Sequence, residues 1–92
     1  MECGKVDKFS IIKMLSDETR FKIFTKLLDY DRLCVSEIEG LLGIKQANTS
    51  KHLRKLKDND VVESHREGNT IYYNIREDFM NENEIFVRYL LL

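Results

Sequence analysis

The sequence predicts a mainly α-helical domain that carries one small β-hairpin. Three observations predict it. Apolar residues recur at helical spacing through residues 5–58 and again near the end of the chain. Between those regions, residues 61–75 become β-branched and aromatic, with a turn signal at their centre. The segment IKQANTSKHLRKLK, residues 44 to 57, holds five basic side chains and no acidic one. The chain as a whole has a formal charge of −1, so everything outside that segment sums to −6.

The elements follow in order. Val6, Phe9 and Ile12 give a short first helix over residues 5–14. In LSDETRFKIFTKLLDY, Ser16 is the expected N-cap, and Asp17 and Glu18 suit the positive end of a helix dipole. Phe21, Phe24, Leu27 and Leu28 form the apolar face of this second helix, which runs to about Asp29. DYDRLCVSEIEGLLG reads as a turn and a short third helix. Ser36 is its expected cap, Ile38, Leu41 and Leu42 point inward, and Gly43 ends it.

The fourth helix spans residues 45–58. Thr49, Leu53 and Leu56 line one side, and Ala47, Lys51, Arg54 and Lys55 lie opposite. In the hairpin of residues 61–75, Ile71, Tyr73 and Ile75 alternate with Thr70 and Asn74, and EGN at 67 to 69 is the turn. A last helix begins within 78–82, with Phe79, Phe86 and Leu90 on one stripe and Ile85 and Tyr89 beside it. A short helix, a glycine-containing turn, a basic helix and then a hairpin make a winged helix-turn-helix, in the order α-α-α-α-β-β-α.

Composition narrows the function classes. Ninety-two residues suit one domain over 1–92, with a thin core. Apolar residues at 42% and charged ones at 34% argue against disorder and for a strongly charged surface. No apolar run approaches the roughly 20 residues of a membrane span, and MECGKVDKFS lacks a signal peptide's apolar stretch, so a cytoplasmic location is expected. Two cysteines, Cys3 and Cys34, make no secreted disulfide framework.

The chain resembles the ArsR/SmtB family of dimeric winged-helix repressors over nearly its whole length. LSDETRFKIFTKLL, LCVSEIEGLLGIKQANTSKHLRKLKDNDVV, REGNTIYY and the flanking terminal helices carry the likeness. The resemblance implies a homodimer built from the first and last helices, a recognition role for the fourth helix, and repression as the outcome. Val6, Phe9, Phe86, Tyr89 and Leu90 are the expected dimer residues. The apolar end, FVRYLLL, fits such a seam, since a monomer would expose it.

Double-stranded DNA is the expected partner. Phosphates attract Lys and Arg regardless of sequence, while base edges are read by side chains that donate and accept hydrogen bonds. Gln46, Asn48, Ser50 and Lys51 suit base edges; Arg54, Lys55 and Lys57 suit phosphates. By resemblance, Gln46, Ala47, Ser50 and Lys51 match the family's base-proximal positions. Ala47 stands where the family usually has Ser, leaving at most a thymine methyl contact. Lys45 stands where the family usually has a Ser or Thr cap, and it is counted among the DNA-facing residues. In the hairpin, His65, Arg66 and Asn69 are placed to meet the adjacent minor groove or backbone.

Many relatives hold a metal through a Cys-Val-Cys motif. Here the stretch is LCVSE, with Cys34 present and Ser36 in place of the second thiol, a poor ligand for soft metals. The family's other site needs Asp and His on the last helix, and DFMNENEIFVRYLLL has no His. No metal site and no cofactor are therefore expected. A thiol-responsive repressor using Cys3 and Cys34 stays open beside a plainer reading, in which Cys34 is a small buried hydrophobe. His52 borders the buried face and suits packing with one hydrogen bond, whereas His65 suits an exposed strand position.

An enzyme would need more than Cys34 with His52 or His65, because no glycine-rich oxyanion or phosphate loop accompanies them. No catalytic residue is expected. A winged helix that binds protein would account for the fold and the apolar end but not for an acid-free helix.

Overall fold

A computed structural model of the chain describes residues 8–91. Its elements are α1 (Lys8–Met14), α2 (Glu18–Asp29), β1 (Leu33–Cys34), α3 (Val35–Leu42), α4 (Gln46–Asp58), β2 (Val62–Glu67), β3 (Thr70–Ile75) and α5 (Glu77–Leu90). The expected order holds, with β1 added. Positions 5–7 of the expected first helix, and with them Val6, lie outside the described residues, as does Cys3.

Several local expectations are corrected. The N-cap of α2 is Asp17, not Ser16. Asp17 takes an extended backbone, and its carboxylate accepts the Arg20 N–H at 2.9 Å. The Ser16 hydroxyl instead donates back to the Lys13 carbonyl at 2.7 Å. At α3 the cap position is Cys34 rather than Ser36, and the Glu37 carboxylate reaches back to accept the Cys34 N–H at 2.9 Å. Ser36 falls inside the first turn. Leu41, expected inward, is exposed. Gly43 ends α3 as expected, in the left-handed region at φ 67°, with its N–H on the Glu39 carbonyl.

The hairpin turn is the two-residue Gly68-Asn69, because Glu67 pairs with Thr70 as a strand residue. Gly68 takes φ 65° and Asn69 does not turn positive, the sign pattern of a type II′ turn. β1 extends the hairpin to a sheet ordered β1-β3-β2, with Leu33 opposite Tyr73 and Cys34 opposite Tyr72. A two-residue strand has too short a period to register in sequence, and this one exists only because β3 is beside it.

Helix α5 starts at Glu77, one residue before the expected bracket. It kinks at Asn83 (φ −124°, ψ 18°). The buried Asn83 side chain donates to the Phe79 carbonyl at 2.9 Å and accepts from the Lys8 ammonium at 2.9 Å. A side chain drawn onto the helix's own carbonyl is a sufficient cause for the break.

The core joins Ile11 and Met14 of α1, Ile23, Phe24 and Leu27 of α2, Ile38 of α3, and Leu53 and Leu56 of α4 to Val61, Val62, Phe79 and Val87. Phe24 and Phe79 meet edge to face at 6.0 Å, tying α2 to α5. The C-terminus of α4 closes in a Schellman arrangement. Asp60 N–H bonds the Lys57 carbonyl, and Val61 N–H bonds that of Leu56. Asp60 takes φ 60°, a role more often filled by glycine, and pairs with Arg76. This stop turns the chain directly from α4 into β2, which fixes the wing relative to the basic helix.

Candidate nucleic-acid interface

Helix α4 is held from its apolar side. Thr49, His52, Leu53 and Leu56 are buried, at the helical spacing the sequence shows. The Thr49 hydroxyl donates to the Lys45 carbonyl at 3.0 Å, so this buried polar atom is satisfied within the helix.

The opposite side is open. Lys45, Gln46, Ala47, Asn48, Ser50, Lys51, Arg54 and Lys55 are all exposed. Among the described residues, Lys45, Lys51, Arg54 and Lys55 make no ion pair. Lys57 differs. Its ammonium donates to the Ser64 hydroxyl at 2.9 Å, linking the end of α4 to β2. Lys45 sits at the N-cap with no side-chain hydrogen bond to the first turn. The front of the helix therefore keeps free N–H groups and partial positive charge facing outward.

The wing stands beside this face. A groove of about 410 Å³ lies between Asn69, Thr70 and Ile71 of the wing and Cys34, Val35, Ser36 and Glu39 at β1 and the start of α3, with Gln46 of α4 also lining it. Arg66 and Asn69 are exposed as expected. His65 is also exposed and stacks on Tyr72. Sequence reasoning missed Arg32, which reaches the wing from the loop before β1 and pairs with Glu67. Nothing in the local pattern marks it, since the contact spans 35 positions.

His52 links the basic helix to α2. Its Nδ1 lies 3.2 Å from an Arg20 guanidinium nitrogen. A guanidinium only donates, so Nδ1 is the acceptor and the imidazole is neutral, with its proton on Nε2. Burial pushes the His52 pKa below its ordinary value. Asp17, with a carboxylate oxygen 3.8 Å from Nε2, pulls it back up, while Arg20 and Lys51 lower it further. The expected packing role with one hydrogen bond fits this geometry.

Cys34 is half-buried rather than fully buried, because β1 lies at the sheet edge. Its Sγ lies 3.3 Å from the Ser36 hydroxyl. Among the described residues, no three His, Cys, Asp or Glu side chains cluster closely enough to hold a metal ion.

Apolar surface collects elsewhere, on α1 and the end of α5. Phe9 is 70% exposed, Ile85 83% and Tyr89 74%. Ile12 and Leu91 are also exposed, and Leu90 borders on it. Of the expected dimer residues, Phe86 is half-buried against the chain's own core. Ile12 and Ile85 extend the surface; their helical spacing from Phe9 and Tyr89 was the available signal.

The matched family model is the bacterial regulatory protein arsR family, over residues 17–64. That span holds α2, β1, α3 and α4 and enters β2. The cadmium resistance transcriptional regulatory protein CadC of Listeria innocua is 45% identical over 64 residues, covering 70% of this chain and 54% of that protein. The chain thus spans about half the length of that relative. The arsenical resistance operon repressor of Staphylococcus xylosus is 31% identical, covering 78% of this chain and 68% of that one. Among solved structures, HlyU from Vibrio cholerae superposes with a TM-score of 0.74 at 26% identity, over 95% of this chain and 100% of that one. The transcriptional repressor PagR of Bacillus anthracis gives 0.70 at 26%, over 85% and 90%.

Proposed function

The chain belongs to the arsR family of bacterial regulatory proteins, and from that premise we propose that it is a homodimeric, sequence-specific DNA-binding repressor. On this reading it acts by binding, with no catalytic step. The observation that carries the proposal is the face of α4. Seven exposed polar or basic side chains, from Lys45 to Lys55, share that face with Ala47 and no acid, while the opposite face is anchored in the core.

A helix so placed enters the major groove with its N-terminal residues toward base edges. Gln46, Asn48, Ser50 and Lys51 read bases, and Ala47 meets at most a thymine methyl. Lys45, Arg54 and Lys55 hold phosphates. Arg66 and Asn69 of the wing reach the flanking backbone. The acidic remainder of the chain repels DNA elsewhere, so binding is confined to this face.

The exposed apolar surface of α1 and α5 is the proposed seam between two copies. Phe9, Ile12, Ile85 and Tyr89 form it, with Leu90, Leu91 and half-buried Phe86 at its edge. Two recognition helices then address half-sites about one helical turn apart, roughly 10 base pairs.

Cadmium and arsenic appear in the relatives' names, but the residues described around Cys34 do not suit either ion. The atom beside Cys34 Sγ is a serine oxygen, and a soft ion needs thiolates.

The test is fluorescence anisotropy of the reduced protein with duplex DNA from just upstream of its own coding sequence, across a salt series. Saturation at two protomers per duplex, tighter than to a scrambled duplex and weakening steeply with salt, is the expected result. Equal weak binding to both duplexes would overturn the sequence-specific reading.

A further inference from the structure

The proposed wing carries an acid where a phosphate-facing element disfavours one. Glu67 is the last residue of β2, directly before the Gly68-Asn69 turn. Its carboxylate is held below the usual range, first by the hydrogen bond from Arg32, so it is ionised at neutral pH. Left alone, that charge would oppose DNA beside Arg66 and Asn69.

The geometry supplies its partner. Side chains alternate along β2, so Glu63, His65 and Glu67 share one face and Val62, Ser64 and Arg66 the other. The register sets His65 opposite Tyr72, on that first face. Arg32 arrives from the loop between α2 and β1. Its guanidinium carbon sits over the Tyr72 ring, 3.9 Å from the centroid, and the guanidinium donates to the Glu67 carboxylate. His65 closes the group. Its Nε2 is 3.4 Å from the same guanidinium and 3.5 Å from Glu67, and its ring stacks on Tyr72. A planar guanidinium can lie over a ring and donate in its own plane at once.

We propose that Arg32 is a positioning residue for DNA binding: it cancels the Glu67 charge at the wing, so that Arg66 and Asn69 meet the phosphate backbone without an opposing carboxylate. The proposal rests on the DNA-binding reading. Arg32 itself acts through Glu67 rather than on DNA.

Four proteins test it: wild type, Arg32→Ala, Glu67→Gln and the double variant, each titrated against the duplex from upstream of the coding sequence. Two wings act in a dimer, so Arg32→Ala is expected to weaken binding about tenfold. Glu67→Gln alone, and the double variant, stay within roughly twofold of wild type, because no carboxylate remains to be masked. Arg32→Gln replaces the alanine variant if the hairpin fails to form by circular dichroism. Equal weakening in Arg32→Ala and the double variant would mean that Arg32 touches phosphate directly, and overturns the proposal. Glu67→Gln weakening as much as Arg32→Ala would mean a plain structural staple, and overturns it too. If wild type binds and Arg32→Ala binds equally well, the proposal alone falls. If wild type binds no duplex, the DNA reading falls and takes the proposal with it.

Discussion

Helices α2 and α5 each pair a surface cation with an acid four residues earlier. Lys22 meets Glu18 at 3.2 Å, and Arg88 meets Glu84 at 2.8 Å. Helix α4 does the opposite. Arg54 and Lys55 lie three and four residues after Lys51 with no acid among them, and Lys45 occupies the helix cap without closing it. By local criteria α4 is the poorer helix. Like charges at this spacing cost a few tenths of a kcal/mol each, and a missing cap about 1 kcal/mol. It is helical because Leu53 and Leu56 are buried. The comparison teaches that a face held together by its own charges is finished, whereas a face whose charges repel is left free to take up an external anion.

Four experiments break or sharpen this contrast, from the largest effect to the smallest. Leu53→Ala removes the burial that holds α4 in place. It should cost about 2–5 kcal/mol in urea unfolding, with DNA binding lost alongside. A cost under 1 kcal/mol would show that α4 stands without its core anchor. Gln46→Ala leaves folding intact and should lose about 1–3 kcal/mol of preference for the specific duplex, read by competition against scrambled DNA. An unchanged preference would remove Gln46 from base reading.

Lys45→Ser should move the two properties in opposite directions. Thermal unfolding should show about 1 kcal/mol of added stability from the new cap. The salt dependence of DNA binding should shallow by about one unit per protomer as a phosphate contact goes. The control is Arg88→Ala on α5, where an exposed pair contributes about 0.5 kcal/mol or less and DNA affinity should not change. A loss of affinity there would make α5, too, part of the DNA surface.

The fourth experiment concerns pH. The His52 pKa is lowered on folding, first by burial. The unfolded chain therefore takes up the proton first as pH falls through about 6.5. The stability that neutral His52 contributes is complete above that value and is lost progressively below it, down to the folded pKa. Urea unfolding between about pH 7 and pH 5 should show this decline, and His52→Gln, whose amide can still accept from Arg20, should flatten it. An equal slope in both proteins would assign the decline to other groups.

The sequence was most legible where one element sets its own period. Helices α2 and α4 were visible because their buried side chains recur every three or four residues, α1 showed through Phe9 and Ile12, which are exposed, and the hairpin because β-branched and aromatic residues crowd around Gly68. The one-signed helix needed only a count of charges. Cap residues were less legible. Asp17 and Ser16 are both good caps, as Ser36 is, and only backbone geometry chose Asp17 and the Cys34-Glu37 pair. The inward or outward placing of Leu41 and Ile85 likewise depended on which neighbours the fold left room for.

The sequence by itself thus determined the order of helices, the hairpin and the basic face of α4, since propensity, periodicity and charge act over a few residues. Only the tertiary structure decided the rest. It paired β1 with β3, kinked α5 at Asn83 and laid Arg32 on Tyr72 against Glu67. The β1–β3 pairing, the Lys8 ammonium that meets Asn83 and the Arg32 contact each join groups that are distant along the chain but adjacent in space, and no local pattern encodes that adjacency.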